Sequence, residues 1–509
     1  MNRIKAGKNK RLSGRLFAVL ILLQALLLGA CGSATMQDAS EMSGVRDAES
    51  ASVSPDNASV STESTSQSPE TEGSTDAAIY EFTAPDWARD AVLYEVNVRQ
   101  YTEEGTFAAF GEHLEELKEM GINTLWLMPI YPISEQNRIG PLGSYYSVKD
   151  YRDVNPEFGD LADFGALVEQ AHGMGFHVIL DWVANHTGWD HAWITEHPDW
   201  YTQENGQITE PAGTGWSDVA DLNYDNPEMR AEMIRCMRFW VETYGVDGFR
   251  CDYAVGVPAD FWAEARAQLE QIKPLFFLEE DLAGQSDVLL EQAFDSNYAG
   301  KFYETLVPVA KDGKTADKLK LYLQKMPEGD FPMFYLDNHD VNSYDRTIAQ
   351  AFGPEQLPAL YTFIYTMPGM PMIYSGDEIG YDKAISFFDR DPIDWTAGNG
   401  DYRALLKALG EMKSAHPALR AGSGDAAVEY LDTGKKSIFA FRRKSEQETL
   451  LCIFLLGTRP LEDVDLGGIL PEGGEVIFSG IGETWEAGGE MPDPVSTWEP
   501  WQFVIVKQP

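Results

Sequence analysis

Positive charge is scarce in this chain of 509 residues: 39 Lys and Arg stand against 81 Asp and Glu, a formal net charge of −42. Nucleic-acid phosphates are held by basic surfaces, so no nucleic-acid partner is expected. The acidity suits solubility in a salty or extracellular setting. Cysteine is nearly missing, with four in all. Cys31 lies near the N-terminus, and Cys236, Cys251 and Cys452 are an odd remainder that makes no complete disulfide framework. Cys236 and Cys452 read as small buried apolar residues. Internal repeats are lacking, which excludes a solenoid. The apolar run Leu16 to Ala30 has 15 residues, short of the roughly 20 that span a bilayer.

What is present is enough for a large core: 44% of residues are hydrophobic and 12% aromatic. Arg3, Lys5, Lys8, Lys10, Arg11 and Arg15 precede the apolar run, as in a secretory signal. The run ends in Leu28-Gly29-Ala30-Cys31-Gly32. That segment resembles the lipobox of bacterial lipoproteins. It implies lipidation at Cys31 and attachment to the membrane at the bacterial cell surface, with the folded part extracytoplasmic. Residues 31–78, rich in Ser, Thr and Glu, read as a disordered tether after the signal at 1–30.

Beyond it, strands and helices alternate. Val92–Val98, Asn123–Pro129 and Phe176–Leu180 read as strands, with helices over Phe107–Met120 and Asp160–Met174 between them. A helix over Pro227–Tyr244 leads to another strand at Val246. Such alternation builds a parallel sheet. The expected fold class is α/β, a (β/α)8 TIM barrel over 79–420. A short subdomain is inserted after strand 3, about 187–226, where Trp189, Trp193, Trp200, Tyr201 and Trp216 sit among Gly, Pro and Asp. Short strands after Ala421 predict a C-terminal antiparallel β-sandwich over 421–509.

Four apolar runs stop at charged groups: Asp181 with Asn185-His186, Arg250-Cys251-Asp252, Glu279-Glu280, and Asp337-Asn338-His339-Asp340. Barrels carry their chemistry at strand C-termini, and carboxyls converging on one mouth equip a glycosidase. Arg250 and Asp252, two apart on a strand, share a face. The arginine is expected to hold the aspartate ionised, as a nucleophile requires.

Gly245-Val246-Asp247-Gly248-Phe249-Arg250-Cys251-Asp252 resembles the signature strand of the alpha-amylase family of glycoside hydrolases. Asp181-Trp182-Val183-Ala184-Asn185-His186, Phe276-Phe277-Leu278-Glu279-Glu280 and Phe334-Tyr335-Leu336-Asp337-Asn338-His339-Asp340 resemble its other catalytic segments, in its order. Gly143–Tyr151 and Pro368–Glu378 agree. The resemblance implies a retaining scheme. Asp252 would form a covalent glycosyl-enzyme, Glu280 would act as acid and then base, and Asp340 would grip sugar hydroxyls. Arg250 would hold Asp252, His186 and His339 would bond the sugar, and Tyr146 would stack beneath it. The two reacting carboxyls would lie about 5–5.5 Å apart.

The sequence departs from the family in places. Glu279 stands beside Glu280, and strand alternation lets only one enter the cleft; the motif spacing favours Glu280. Val255-Gly256 replaces a Lys-His pair, which touches contacts on the leaving side and a family calcium site. Asn185, Asp218 and Asp221 could supply hard oxygen ligands to a structural calcium, with turn-forming roles as the alternative. No cofactor is needed for the chemistry. The expected substrate is an α-glucan or maltooligosaccharide, hydrolysed by a monomer. Transglycosylation or isomerisation of small α-glucosides is the alternative within the enzyme class. A non-catalytic glycan binder and a solute-binding lipoprotein are the competing classes, and the retained carboxyls argue against both.

Overall fold

Eight short strands run parallel, each buried on both sides, which is why they read as apolar runs rather than alternating ones. In a computed structural model that describes residues 81–282, 287–326, 331–422, 427–482 and 484–509, we number them β1 (Leu93–Val96), β2 (Thr124–Leu127), β3 (His177–Val183), β4 (Gly248–Asp252), β5 (Phe276–Glu279), β6 (Ser296–Asn297), β7 (Met333–Tyr335) and β8 (Met370–Tyr374). Their spatial order is β6-β5-β4-β3-β2-β1-β8-β7. A parallel bridge from Tyr298 to Met333 joins the two ends, so the sheet closes as a TIM barrel. The proposed signal, tether and Cys31 lie outside the described residues.

The helices between strands follow local signals. Asn226 caps Pro227–Tyr244 by accepting from the backbone N–H of Glu228 and Met229, Pro227 opens it, and Gly245 ends it at φ 70°. Asp160 and Asp163 form a capping box on Leu161–Gly173. One expected helix is corrected: Phe107–Met120 is two, Phe107–Gly111 and Leu114–Glu119. The Gln170 side chain donates to the Gly111 carbonyl at 3.0 Å, taking an acceptor the continuous helix would use. Gly248 is required by packing, because a Cβ there would lie 2.0 Å from the Phe276 carbonyl oxygen on β5.

After the barrel, Ile438–Lys444, Thr449–Leu455 and Phe503–Lys507 form the centre of a six-stranded antiparallel sheet. Phe439, Phe441 and Phe454 on one face pack with Phe363 of the barrel helix Leu357–Thr366. Ile453, Val504 and Val506 on the other share a core with Val464 and Trp498 of a two-stranded sheet, Leu461–Asp465 with Val495–Trp498. Both faces are thus covered. Cys236, Cys251 and Cys452 are buried, free thiols.

Arg443 fixes this sheet to the barrel. Fully buried, it donates through Nη1 to the carbonyls of Thr366 and Met367 at 2.8 and 2.6 Å, and through Nη2 to that of Arg420 at 2.7 Å. Arg443→Ala would leave these carbonyls without that donor. The expected loss is about 3 kcal/mol of stability, read as a lower thermal midpoint with kcat unchanged in the folded fraction. An unchanged midpoint would refute the assignment.

Candidate active site

Strand register sets the site. Asp181 on β3 pairs with Arg250 on β4, and Cys251 pairs with Glu279 on β5. Arg250 and Asp181 therefore face the barrel interior, while Cys251 and Glu279 face the other way. The Glu280 N–H donates to the Cys251 carbonyl at 3.1 Å, carrying the ladder one residue further, level with Asp252. Side-chain exposures follow: Asp252 12%, Glu280 13%, Asp340 38%, against fully buried Glu279.

Arg250 is the hub. Fully buried, its Nη1 donates to Asp181 Oδ1 at 2.8 Å and Asp252 Oδ1 at 3.1 Å, and its Nε to the Tyr298 hydroxyl at 3.0 Å. Its Nη2 lies 2.9 Å from Glu280 Oε2, near enough for an ion pair but out of line for a hydrogen bond. The rings of Trp126 and Tyr146 flank the guanidinium at 5.2 and 5.8 Å. Asp181 is saturated by Trp126 Nε1 at 3.2 Å and the Tyr146 hydroxyl at 3.0 Å, so it serves the hub rather than the cleft.

Arg250 acts on Asp252 in the expected direction, but the expected net outcome is corrected. The Asp252 carboxyl is held well above the usual range: burial raises it most, then Glu280, while Arg250 opposes them. One guanidinium shared among three carboxyls does not offset that crowding. The two histidines differ. Burial pushes His186 down to about 4, so it is neutral in working solutions. His339 is lifted to about 9: burial opposes the shift, but Asp340 and Glu95 outweigh it.

Tyr146 lies stacked on His339, with centroids 5.6 Å apart, and its hydroxyl is 2.8 Å from His339 Nε2. Phe387 continues this aromatic wall at 6.0 Å from Tyr146. The inserted segment reaches the same mouth. His186–Gly188 pairs with Val219–Asp221, and Trp216 sets its ring against His186 at 5.5 Å and Tyr253 at 5.3 Å. Trp193 and Trp200 pack on each other inside it, at 5.1 Å.

Calcium would need several oxygen ligands at one point. Among the described residues no three His, Cys, Asp or Glu side chains gather as a metal cluster. The Asn185 amide nitrogen faces His186 Nδ1 at 3.3 Å. Asp221 lies opposite His186 in the hairpin, and Asp218, raised to about 6 by burial, accepts the Ser147 hydroxyl on its carbonyl. The three candidates lie about the base of the insertion, and no step below runs through a metal.

Three contributors escaped sequence reading. Trp126 and Tyr298 brace Arg250, as above. Glu95 on β1 holds His339 Nδ1 at 2.5 Å; the signal was a lone carboxylate within Leu93-Tyr94-Glu95-Val96.

A parallel barrel whose mouth gathers carboxyls around one arginine is the scaffold of a barrel glycosidase. The model of the alpha-amylase catalytic domain matches residues 70–268 and 286–421, and the chain belongs to that family. An alpha-amylase from Lactobacillus plantarum is similar at 32% identity and TM-score 0.73, covering 82% of this chain and 99% of that one. The noncanonic maltogenic alpha-amylase AmyB from Thermotoga neapolitana is similar at 27% identity and TM-score 0.70, covering 82% and 98%. Alpha-amylase MalA of Haloarcula japonica is 28% identical over 409 residues; the match takes in 77% of this chain but only 59% of MalA.

The loop after β4 holds the Val255-Gly256 pair. Tyr253 is left-handed, at φ 42°, and its N–H donates to Glu280 Oε2 at 2.8 Å. A Cβ at Gly256 would lie 2.4 Å from the Tyr253 ring and 2.6 Å from Asn185 Oδ1. Gly256→Ala should displace Tyr253 and its hold on Glu280. The expected result is kcat lower by roughly tenfold to a hundredfold, whereas Val255→Ala, at a position 44% exposed, should stay within about 0.5 kcal/mol of parental stability. Parental kcat in a folded Gly256→Ala enzyme would contradict this.

Proposed function

We propose that the protein is a retaining hydrolase of α-glucosidic bonds in soluble maltooligosaccharides. The observation that carries the reading is that Asp252 and Glu280 lie against different nitrogens of the single Arg250 guanidinium, at 3.1 and 2.9 Å. That closeness suits direct attack on the sugar better than a water-filled gap between the carboxyls. Asp252, ionised in the productive state, attacks the anomeric carbon as Glu280 gives its proton to the departing glycosidic oxygen. Glu280 then takes a proton from water, which attacks the same carbon and releases Asp252. Asp340 grips ring hydroxyls, with Tyr146 as the platform and neutral His186 and protonated His339 as hydrogen-bonding partners. The names of the amylase relatives above support the substrate class.

Asp252→Asn should abolish maltotriose turnover. Glu280→Gln should be crippled on poor leaving groups and partly rescued by azide, while Glu279→Gln stays active. Turnover by Asp252→Asn at the parental rate would sink the reading, and rescue of Glu279→Gln in place of Glu280→Gln would move the acid.

The residues from Arg3 to Gly32 support a second element of the reading, attachment to the bacterial cell surface through a lipid on Cys31. Cells fed labelled palmitate should incorporate it into the parent chain and not into Cys31→Ser; equal labelling of both would exclude that anchor.

A further inference from the structure

His339 is held from two sides. Its Nε2 meets the Tyr146 hydroxyl at 2.8 Å and stands 3.6 Å from Asp340 Oδ2. Its Nδ1 meets Glu95 Oε1 at 2.5 Å. Both side chains are almost fully enclosed, at 2% and 0% exposure. Glu95 is level with Trp126 on β2 and Tyr374 on β8, so it points into the barrel beneath the mouth. Its other oxygen, Oε2, has no hydrogen-bond partner among the described residues. A carboxylate placed there has His339 as its one recorded hydrogen-bond contact. Bonds between an ionised carboxylate and an imidazolium are short and about twice as strong as neutral ones.

We propose that Glu95 is a positioning residue of the hydrolytic site: it fixes the His339 ring and keeps it doubly protonated, so that Nε2–H is always donated to the Tyr146 hydroxyl, whose own proton goes to Asp181, with the positive ring held beside Asp340. A neutral imidazole has one N–H, and the tautomer bonded to Glu95 through Nδ1–H would leave Nε2 as an acceptor only. The carboxylate thus decides which way the hydrogen bond between His339 and Tyr146 runs, and with it how the Tyr146 ring is held. The inference rests on the proposed function for its consequence, but not for its physical basis.

Other charges bear on the pair. Asp340 raises the proton affinity of His339 as Glu95 does, and Arg250 lowers it. Burial lifts the Glu95 carboxyl above its usual range; His339 opposes that most, Arg250 on β4 also lowers it, and Asp181 on β3 raises it. Tyr298 just after β6, Asp337 just after β7, Tyr374 on β8 and Asp377 in the turn after it feel Glu95 as a raising charge. His339 as a whole stays charged to about 9. Removing the Glu95 charge leaves Asp340 and the opposing Arg250, and the proton is then lost at lower pH.

The test compares Glu95→Gln with Glu95→Asp and the parent. Side-chain nitrogen shifts of 15N-labelled His339, assigned with a His339→Asn variant, should report a doubly protonated ring near pH 8 in the parent. In Glu95→Gln the titration should move down by at least about one unit, and kcat/KM on maltotriose at pH 7 should fall about tenfold. Glu95→Asp, which keeps the charge, should recover part of both. An unmoved His339 titration in folded Glu95→Gln would overturn the proposal. So would equal losses in both variants that track a lowered thermal midpoint, which is the signature of a packing role. The nitrogen shifts need no turnover, so an inactive parent would refute the hydrolase reading while still judging Glu95.

Discussion

Everything at the mouth of this barrel depends on one buried guanidinium. Transfer of an ion from water into a protein interior costs several kcal/mol even after relaxation. Arg250 is tolerated because Asp181, Asp252, Glu280 and the Tyr298 hydroxyl meet its nitrogens and aromatic rings cover its faces. Those partners come from β3, β4, the end of β5 and the residue after β6. Arg250 therefore ties strand register to site geometry: a slip by one residue on β4 would turn it outward and strand three carboxyls without their cation.

The same arrangement leaves the site short of positive charge. Arg250 serves three carboxyls, and Asp340 and Glu95 add two more around His339. Crowded, desolvated carboxyls hold on to protons, and Asp252 is raised in that way, by burial first and by Glu280 next. A glycosidase needs one proton retained and one carboxyl ionised in a shared space. At Asp252 the direct bond from Arg250 Nη1 to Oδ1 works against the raising terms, toward the ionised form.

Much of this was legible because it is periodic. Strand alternation placed Arg250 and Asp252 on one face and sent Glu279 and Glu280 to opposite ones, and the helix expected over Pro227–Tyr244 has those bounds. What was not legible came from elsewhere in the chain. Gln170 divided the helix expected over Phe107–Met120 from a position 59 residues away. Asp252 was expected low because its neighbour in sequence is an arginine, whereas burial and Glu280, brought up by β5, decide its direction. Glu95 was passed over because a strand of four residues, all buried, reads as core.

The Val255-Gly256 pair shows how a lost motif can be a repacked one. In sequence it looks like the removal of side chains that would reach a sugar. In the fold, the backbone of Tyr253 takes the left-handed conformation that costs a non-glycine residue roughly 1–2 kcal/mol. Such strain persists only where neighbours overdetermine it. Here Trp216 braces the ring edge-on, Gly256 leaves it room beside Asn185, and the Glu280 carboxylate receives the N–H that the strained turn directs at it. Space that longer side chains would fill is occupied by the tyrosine ring. In this chain the Glu280 carboxylate is therefore held by the Tyr253 main chain, with the tyrosine ring fixed between Gly256 and Trp216.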